Sequence, residues 1–109
     1  MENTNLNVQE LLNQAYDKYA NAAIAKRYNT ITMKDSGLKF RIYEGNKIAN
    51  ETFAWKLEFN KTIDFGYGNW RVFYFNSDRA LGRFLFETDC NGGVPKGGKI
   101  CVGFKEHKL

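Results

Sequence analysis

Few residues in this chain combine the types and spacings that chemistry needs. Gly93-Val94-Pro95-Lys96-Gly97-Gly98-Lys99 satisfies the G-x-x-x-x-G-K pattern of a phosphate-binding loop. Such a loop needs Ser or Thr next, to hold magnesium, and a following helix whose N-terminus supplies the anion site. Position 100 is Ile, and Ile100-Cys101-Val102-Gly103-Phe104 alternates like a strand. The segment therefore reads as a glycine-rich basic hairpin loop, in which Lys96 and Lys99 could close over a phosphate backbone. Asp64-Phe65-Gly66 copies the metal-binding triplet of protein kinases, but 109 residues are too few for that fold. Cys90, Cys101 and His107, with Asp89, could be imagined as metal ligands. Their spacing, C-x10-C-x5-H, matches no common zinc pattern. His107 is the single histidine and lies at a chain end, where order is usually poor, so a His-based acid, base or triad is not expected. Glu58 and Glu87 could face each other as paired carboxylates, but a cross-strand ion pair with Lys56 or Arg83 is the simpler fate. The expectation is a binding protein that is not an enzyme and takes no cofactor and no metal.

The residues that could bind are cations and rings. Net charge is +4 and aromatics reach 16%, with a pI near 9.1. That balance suits an acidic partner without demanding one. Interleaved on an open sheet, cations meet phosphates and flat rings stack on unpaired bases.

Two kinds of element must position them. Residues 7 to about 27 carry one helical pattern. Asn7 can cap it, and Glu10 stands where a capping-box glutamate would reach back. Val8, Leu11, Leu12, Ala15, Tyr19, Ala22 and Ala23 form its apolar stripe. From Tyr28 the period becomes two. Six strand candidates follow, at about 28–34, 37–44, 52–60, 69–76, 82–89 and 98–106, separated by turns such as Asp35-Ser36-Gly37 and Glu44-Gly45-Asn46. The segment 77–89 is ambiguous: Ser77 or Asp78 could start a helix, while Gly82 and the Phe84/Phe86 alternation favour a strand. The fourth strand, Trp70–Phe75, is apolar on both faces, which makes it central or a binding surface.

The expected fold is a single α+β domain over residues 1–109. An N-terminal amphipathic helix packs on a mainly antiparallel, twisted sheet of about five to six strands spanning 28–106. A small barrel capped by the helix is the alternative. With the apolar side of each strand inward, the opposite parity carries Lys39, Arg41, Lys56, Arg71, Arg83, Lys99 and Lys105 against Glu58, Glu87 and Asp89, a surplus equal to the whole net charge of +4. Tyr43, Phe73 and Phe75 share that parity. The candidate partner-binding set is therefore Lys39, Arg41, Tyr43, Lys56, Arg71, Phe73, Arg83, Lys96, Lys99 and Lys105.

The expected function is engagement of nucleic acid, RNA or single-stranded, or of a ribonucleoprotein or nuclease complex. A phage or mobile-element inhibitor of a host nuclease, of the anti-CRISPR type, is one form this could take. A small-ligand pocket lined by Phe40, Phe53, Trp55, Trp70 and Phe84, or an assembly module that oligomerises through a sheet edge, are the alternatives. The polar start of the chain and the absence of any long apolar run lead to an expectation of a cytoplasmic protein with no membrane partner.

Overall fold

The computed structural model of the protein describes residues 7–48, 51–60, 70–93 and 104–108. Asn7 opens helix α1 (Val8–Ile24) from an extended backbone, and its side-chain oxygen accepts from the Glu10 amide at 2.8 Å. A cap of this kind satisfies one of the amides that a helix start leaves without a partner. The helix stops short of residue 27 in a turn over 25–28. Its buried residues are Tyr16, Ala20 and Ala23, whereas Val8 and Leu11 are exposed. The buried stripe is thus rotated from the expected one, because the surface that covers it is not the expected surface.

That surface is a second helix, α2 (Asp78–Asn91). The strand expected at 82–89 is helical. Ser77 caps α2 through a 3.1 Å bond from the Ala80 amide, and Gly92 closes it in the left-handed conformation. Ala80, Leu81, Phe84, Leu85 and Thr88 are its buried face and repeat with a helical period. The Phe84/Phe86 alternation that suggested a strand is split between two surfaces. Phe84 is fully buried against the sheet. Phe86 meets the rings of Tyr16 and Tyr19 on α1, edge to face at 5.5 Å each.

The strands are β1 (Thr30–Thr32), β2 (Lys39–Ile48), β3 (Glu51–Asn60), β4 (Trp70–Phe75) and β5 (Phe104–Lys108). They lie in the order β1-β2-β3-β4-β5, every neighbour antiparallel. Four strands of five residues or more make up the sheet, not the five to six expected, because 82–89 is helical and β1 is only a three-residue edging on β2. The sheet is open, with no pairing of β1 to β5, so the barrel alternative is not the fold. The first candidate strand is cut to three residues by a turn before it and a tight hairpin after it. In that hairpin Gly37 has φ +75° and the Met33 amide bonds to the Leu38 carbonyl at 2.8 Å. The turn expected at Glu44-Gly45-Asn46 is instead inside β2; Gly45 bends the strand locally at φ +61° without breaking its pairing.

The core lies between α2 and one face of the sheet. Phe40, Ile42, Leu57, Phe73 and Phe75 from the strands meet Leu81, Phe84 and Leu85 from α2. Phe84 is its centre, with ring centroids 4.7 Å from Phe73, 5.1 Å from Phe75 and 6.2 Å from Phe40. Such pairs add about 0.5–1.5 kcal/mol each beyond area burial. α1 packs mainly on α2, so the expected helix-on-sheet layer is occupied by the wrong helix. The alanine content of α1 does serve close approach, as expected, but to α2. At Gly82 a Cβ would overlap the Tyr16 carbonyl group. Arg79 of α2 spans the exposed side of the crossing, donating to both oxygens of Asp17 at 2.7 and 3.0 Å.

Candidate functional site

Strand register decides which side chains share the face turned away from α2. Ile42 pairs with Leu57 and Leu57 with Phe73, and all three are buried in the core. The alternating positions, Arg41 and Tyr43 on β2, Lys56 and Glu58 on β3, and Val72 and Tyr74 on β4, form the outer face. Tyr43 is in register with Lys56, Lys56 with Tyr74 and Tyr74 with Lys105, so one row crosses four strands.

The β2–β3 half of this face is polar and aromatic. The Lys56 ammonium stands 4.5 Å from the centre of the Tyr43 ring and 3.4 Å from a Glu58 carboxylate oxygen. Lys39 and Arg41 are exposed beside it. Tyr28 completes the group. Its ring meets Tyr43 edge to face at 6.3 Å and is 62% exposed. The backbone sets this position. The Tyr28 amide donates to the Ile42 carbonyl at 2.6 Å, and the Ile42 amide donates to the Asn29 carbonyl at 3.3 Å. Two residues thus oppose one, which is a β-bulge, and its first residue has φ +69°. Glycine is the usual occupant of that conformation; tyrosine there is strained. Long 3.5 Å contacts from Arg27 and from the Tyr28 hydroxyl to Glu44 flank it.

The β4 half differs. Val72 and Tyr74 are buried and cluster with Phe53, whose ring is 5.4 Å from that of Tyr74. Both faces of β4 are therefore covered, which explains its two-sided apolar composition: it is a central strand. No family model, curated protein or solved structure matches this chain.

The expected binding residues divide accordingly. Lys39, Arg41, Tyr43 and Lys56 come together on the outer face. Arg71 and Phe73 do not: β4 runs with the parity opposite to that assumed. Phe73 is fully buried under α2, and the Arg71 guanidinium lies 5.1 Å from its ring. Composition alone could not set this parity, because Trp70-Arg71-Val72-Phe73-Tyr74-Phe75 is apolar at both. Arg83 is not on the sheet at all. It lies on α2, bonded to Glu87 at 2.9 Å one turn on, with its guanidinium 5.9 Å from the Tyr16 ring. Lys105 holds the register position opposite Tyr74. Lys96 and Lys99 lie outside the described residues, as do Cys101 and the Asp64-Phe65-Gly66 segment. Of the rings named for an apolar pocket, Phe40, Trp55 and Phe84 are buried in one core cluster and Phe53 in a second, and the side chain of Trp70 is outside the described set. Tyr28 was not signalled as a site residue, because no glycine marks the bulge and the position reads as the start of a strand.

Asp89 was read as an outward strand residue. It is 2% exposed on α2. Its carboxylate accepts from the Tyr19 hydroxyl at 2.6 Å and from the Ser36 and Asp35 amides at 2.7 and 3.1 Å. Burial alone raises the Asp89 carboxyl. The bonds from Tyr19, Ser36 and Asp35 outweigh it and hold the group below the ordinary carboxylate range. Burial, together with the same contact, pushes the Tyr19 hydroxyl well above its ordinary value. This constellation ties both helices to the β1–β2 turn. It is a clamp, with every oxygen engaged by structure. Among the described residues no group of three or more His, Cys, Asp or Glu could hold a metal ion, and no helix is long and apolar enough to cross a membrane.

Proposed function

We propose that this protein is a non-enzymatic binding protein that holds single-stranded nucleic acid, RNA in particular, on the outer face of β2 and β3. One observation carries the reading: the exposed Tyr28 ring, set edge-on to Tyr43, beside the Lys56 ammonium. A strained backbone presents that ring to solvent where a core-seeking side chain gains nothing. Tyr28 and Tyr43 offer stacking surfaces for bases. Lys39, Arg41 and Lys56 offer cations for the phosphates between them. Stacking of this type contributes about 1–3 kcal/mol per base, which corresponds to roughly 5- to 150-fold in affinity.

The test is fluorescence anisotropy with labelled uridine and thymidine 12-mers and with a duplex of the same length. Single strands should bind more tightly than duplex, and Tyr28→Ala and Arg41→Glu should each weaken binding at least fivefold. Equal, weak binding of every probe, unmoved by either substitution, refutes the reading. Recovery of one protein from nuclease-treated host lysate by the wild type but not by Arg41→Glu would instead make this face a protein-docking surface. A phage or mobile-element inhibitor that occludes a nuclease, of the anti-CRISPR type, would use the face in that way.

A further inference from the structure

A groove of about 440 Å³ separates the C-terminal half of α1 from the segment Ile31–Asp35. Its floor is aliphatic: Ala23, Ile31 and Met33, each buried. Its rim is cationic. Lys18 lies on α1 one turn before Ala22, and Lys26 lies in the turn that follows the helix; all three line the groove. Lys34 faces them from the β1–β2 turn. Among the described residues, none of these three ammoniums has a carboxylate within ion-pair distance. Asp35 is the one acidic residue of the lining. The turn that carries Lys34 and Asp35 is anchored by the Asp89 clamp, and Tyr19 spends its hydroxyl on that clamp while lining the groove.

We propose that this groove binds a small amphipathic anion: an aliphatic body on the floor and a carboxylate, sulfonate or phosphate head against the lysine rim. The size falls within the usual range of small-molecule sites. Three ammoniums against one carboxylate select a negative head. A floor of methyl and thioether groups selects an aliphatic body over a stacked base, which separates this site from the tyrosine face of the sheet. The inference does not rest on the nucleic-acid reading.

The probe is 8-anilinonaphthalene-1-sulfonate, titrated into the whole chain and read by fluorescence, with decanoate and decanol as competitors. Saturable one-to-one binding is expected, displaced by decanoate at least tenfold more effectively than by decanol. Ala22→Trp fills the groove from an exposed helix position and should weaken the probe at least tenfold. The Lys18→Glu/Lys26→Glu double variant should do the same with an unchanged cooperative melt. Arg41→Glu, on the outer sheet face, should leave probe binding as it is. Absence of saturable binding, equal competition by decanol, or indifference to the lysine double variant overturns the proposal. Displacement of the probe by a uridine 12-mer would overturn it as well, assigning the lysines to a nucleic-acid path.

Discussion

Tyr28 combines strain with exposure, and the two can be separated by one substitution. Glycine accepts φ +69° without cost, so Tyr28→Gly relieves the backbone while deleting the ring. The relief is offset by the lost Tyr43 contact and by the added freedom of the unfolded chain. Stability by chemical denaturation should stay within about 1 kcal/mol of wild type, whereas oligonucleotide affinity falls at least fivefold. A loss of stability well beyond that range would mean that the ring is structural. Asp89 is the opposite case, a charge whose role is internal. Its carboxyl is depressed in the folded state, so its stabilisation is present above the unfolded carboxyl value of about 3.9 and is lost as pH falls through the folded value. Asp89→Asn keeps the shape but turns an N–H₂ toward donors. It should cost about 1–3 kcal/mol at neutral pH. The gap to wild type should shrink as pH falls below about 4, measured by urea unfolding across pH. A gap independent of pH would mean that the charge is not what holds the turn.

At the scale of elements, the close contact of α1 and α2 depends on Gly82. In an isolated helix Gly→Ala adds about 1 kcal/mol of stability. Here the new methyl overlaps the Tyr16 carbonyl, and backbone cannot swing aside as a side chain can. Gly82→Ala should therefore destabilise by about 3 kcal/mol or more, read as a lowered urea midpoint. A stabilised variant would show that the helices are not in such contact. Much of this level is readable from residues. Asn7 marks the start of α1, and Phe53–Phe59 and Leu38–Ile42 mark two strands by alternation. The identity of 77–89 is not, because the i, i+2 spacing of Phe84 and Phe86 is a strand period, whereas on α2 the two rings cover different surfaces. Local pattern favoured the strand; burial of Leu81, Phe84 and Leu85 against the sheet selects the helix. The cap signals Ser77 and Gly92 point to the answer, but only once a helix is assumed.

At the scale of the whole molecule, the cations among the described residues are not gathered on one face. Lys39, Arg41 and Lys56 share the outer sheet face, Arg83 lies on α2, and Lys18, Lys26 and Lys34 rim a separate groove. Binding of single strands should therefore have a modest salt dependence. With three cations engaged, log K should fall with log salt at a slope of about −2. A slope several-fold steeper would mean that the cations beyond β2 and β3 also contact phosphate. The sequence alone determined the α+β class, the antiparallel pairing, the α1 cap and the cations of β2 and β3, because these follow from spacing within a few consecutive residues. Only the tertiary structure decided which helix covers the sheet, which face of β4 is inner, and that Tyr28, Asp89 and Gly82 matter. Each of those depends on contacts between segments far apart in the chain: β4 has two faces of equal apolarity, and a bulge, a clamp and a helix crossing exist only where two elements meet.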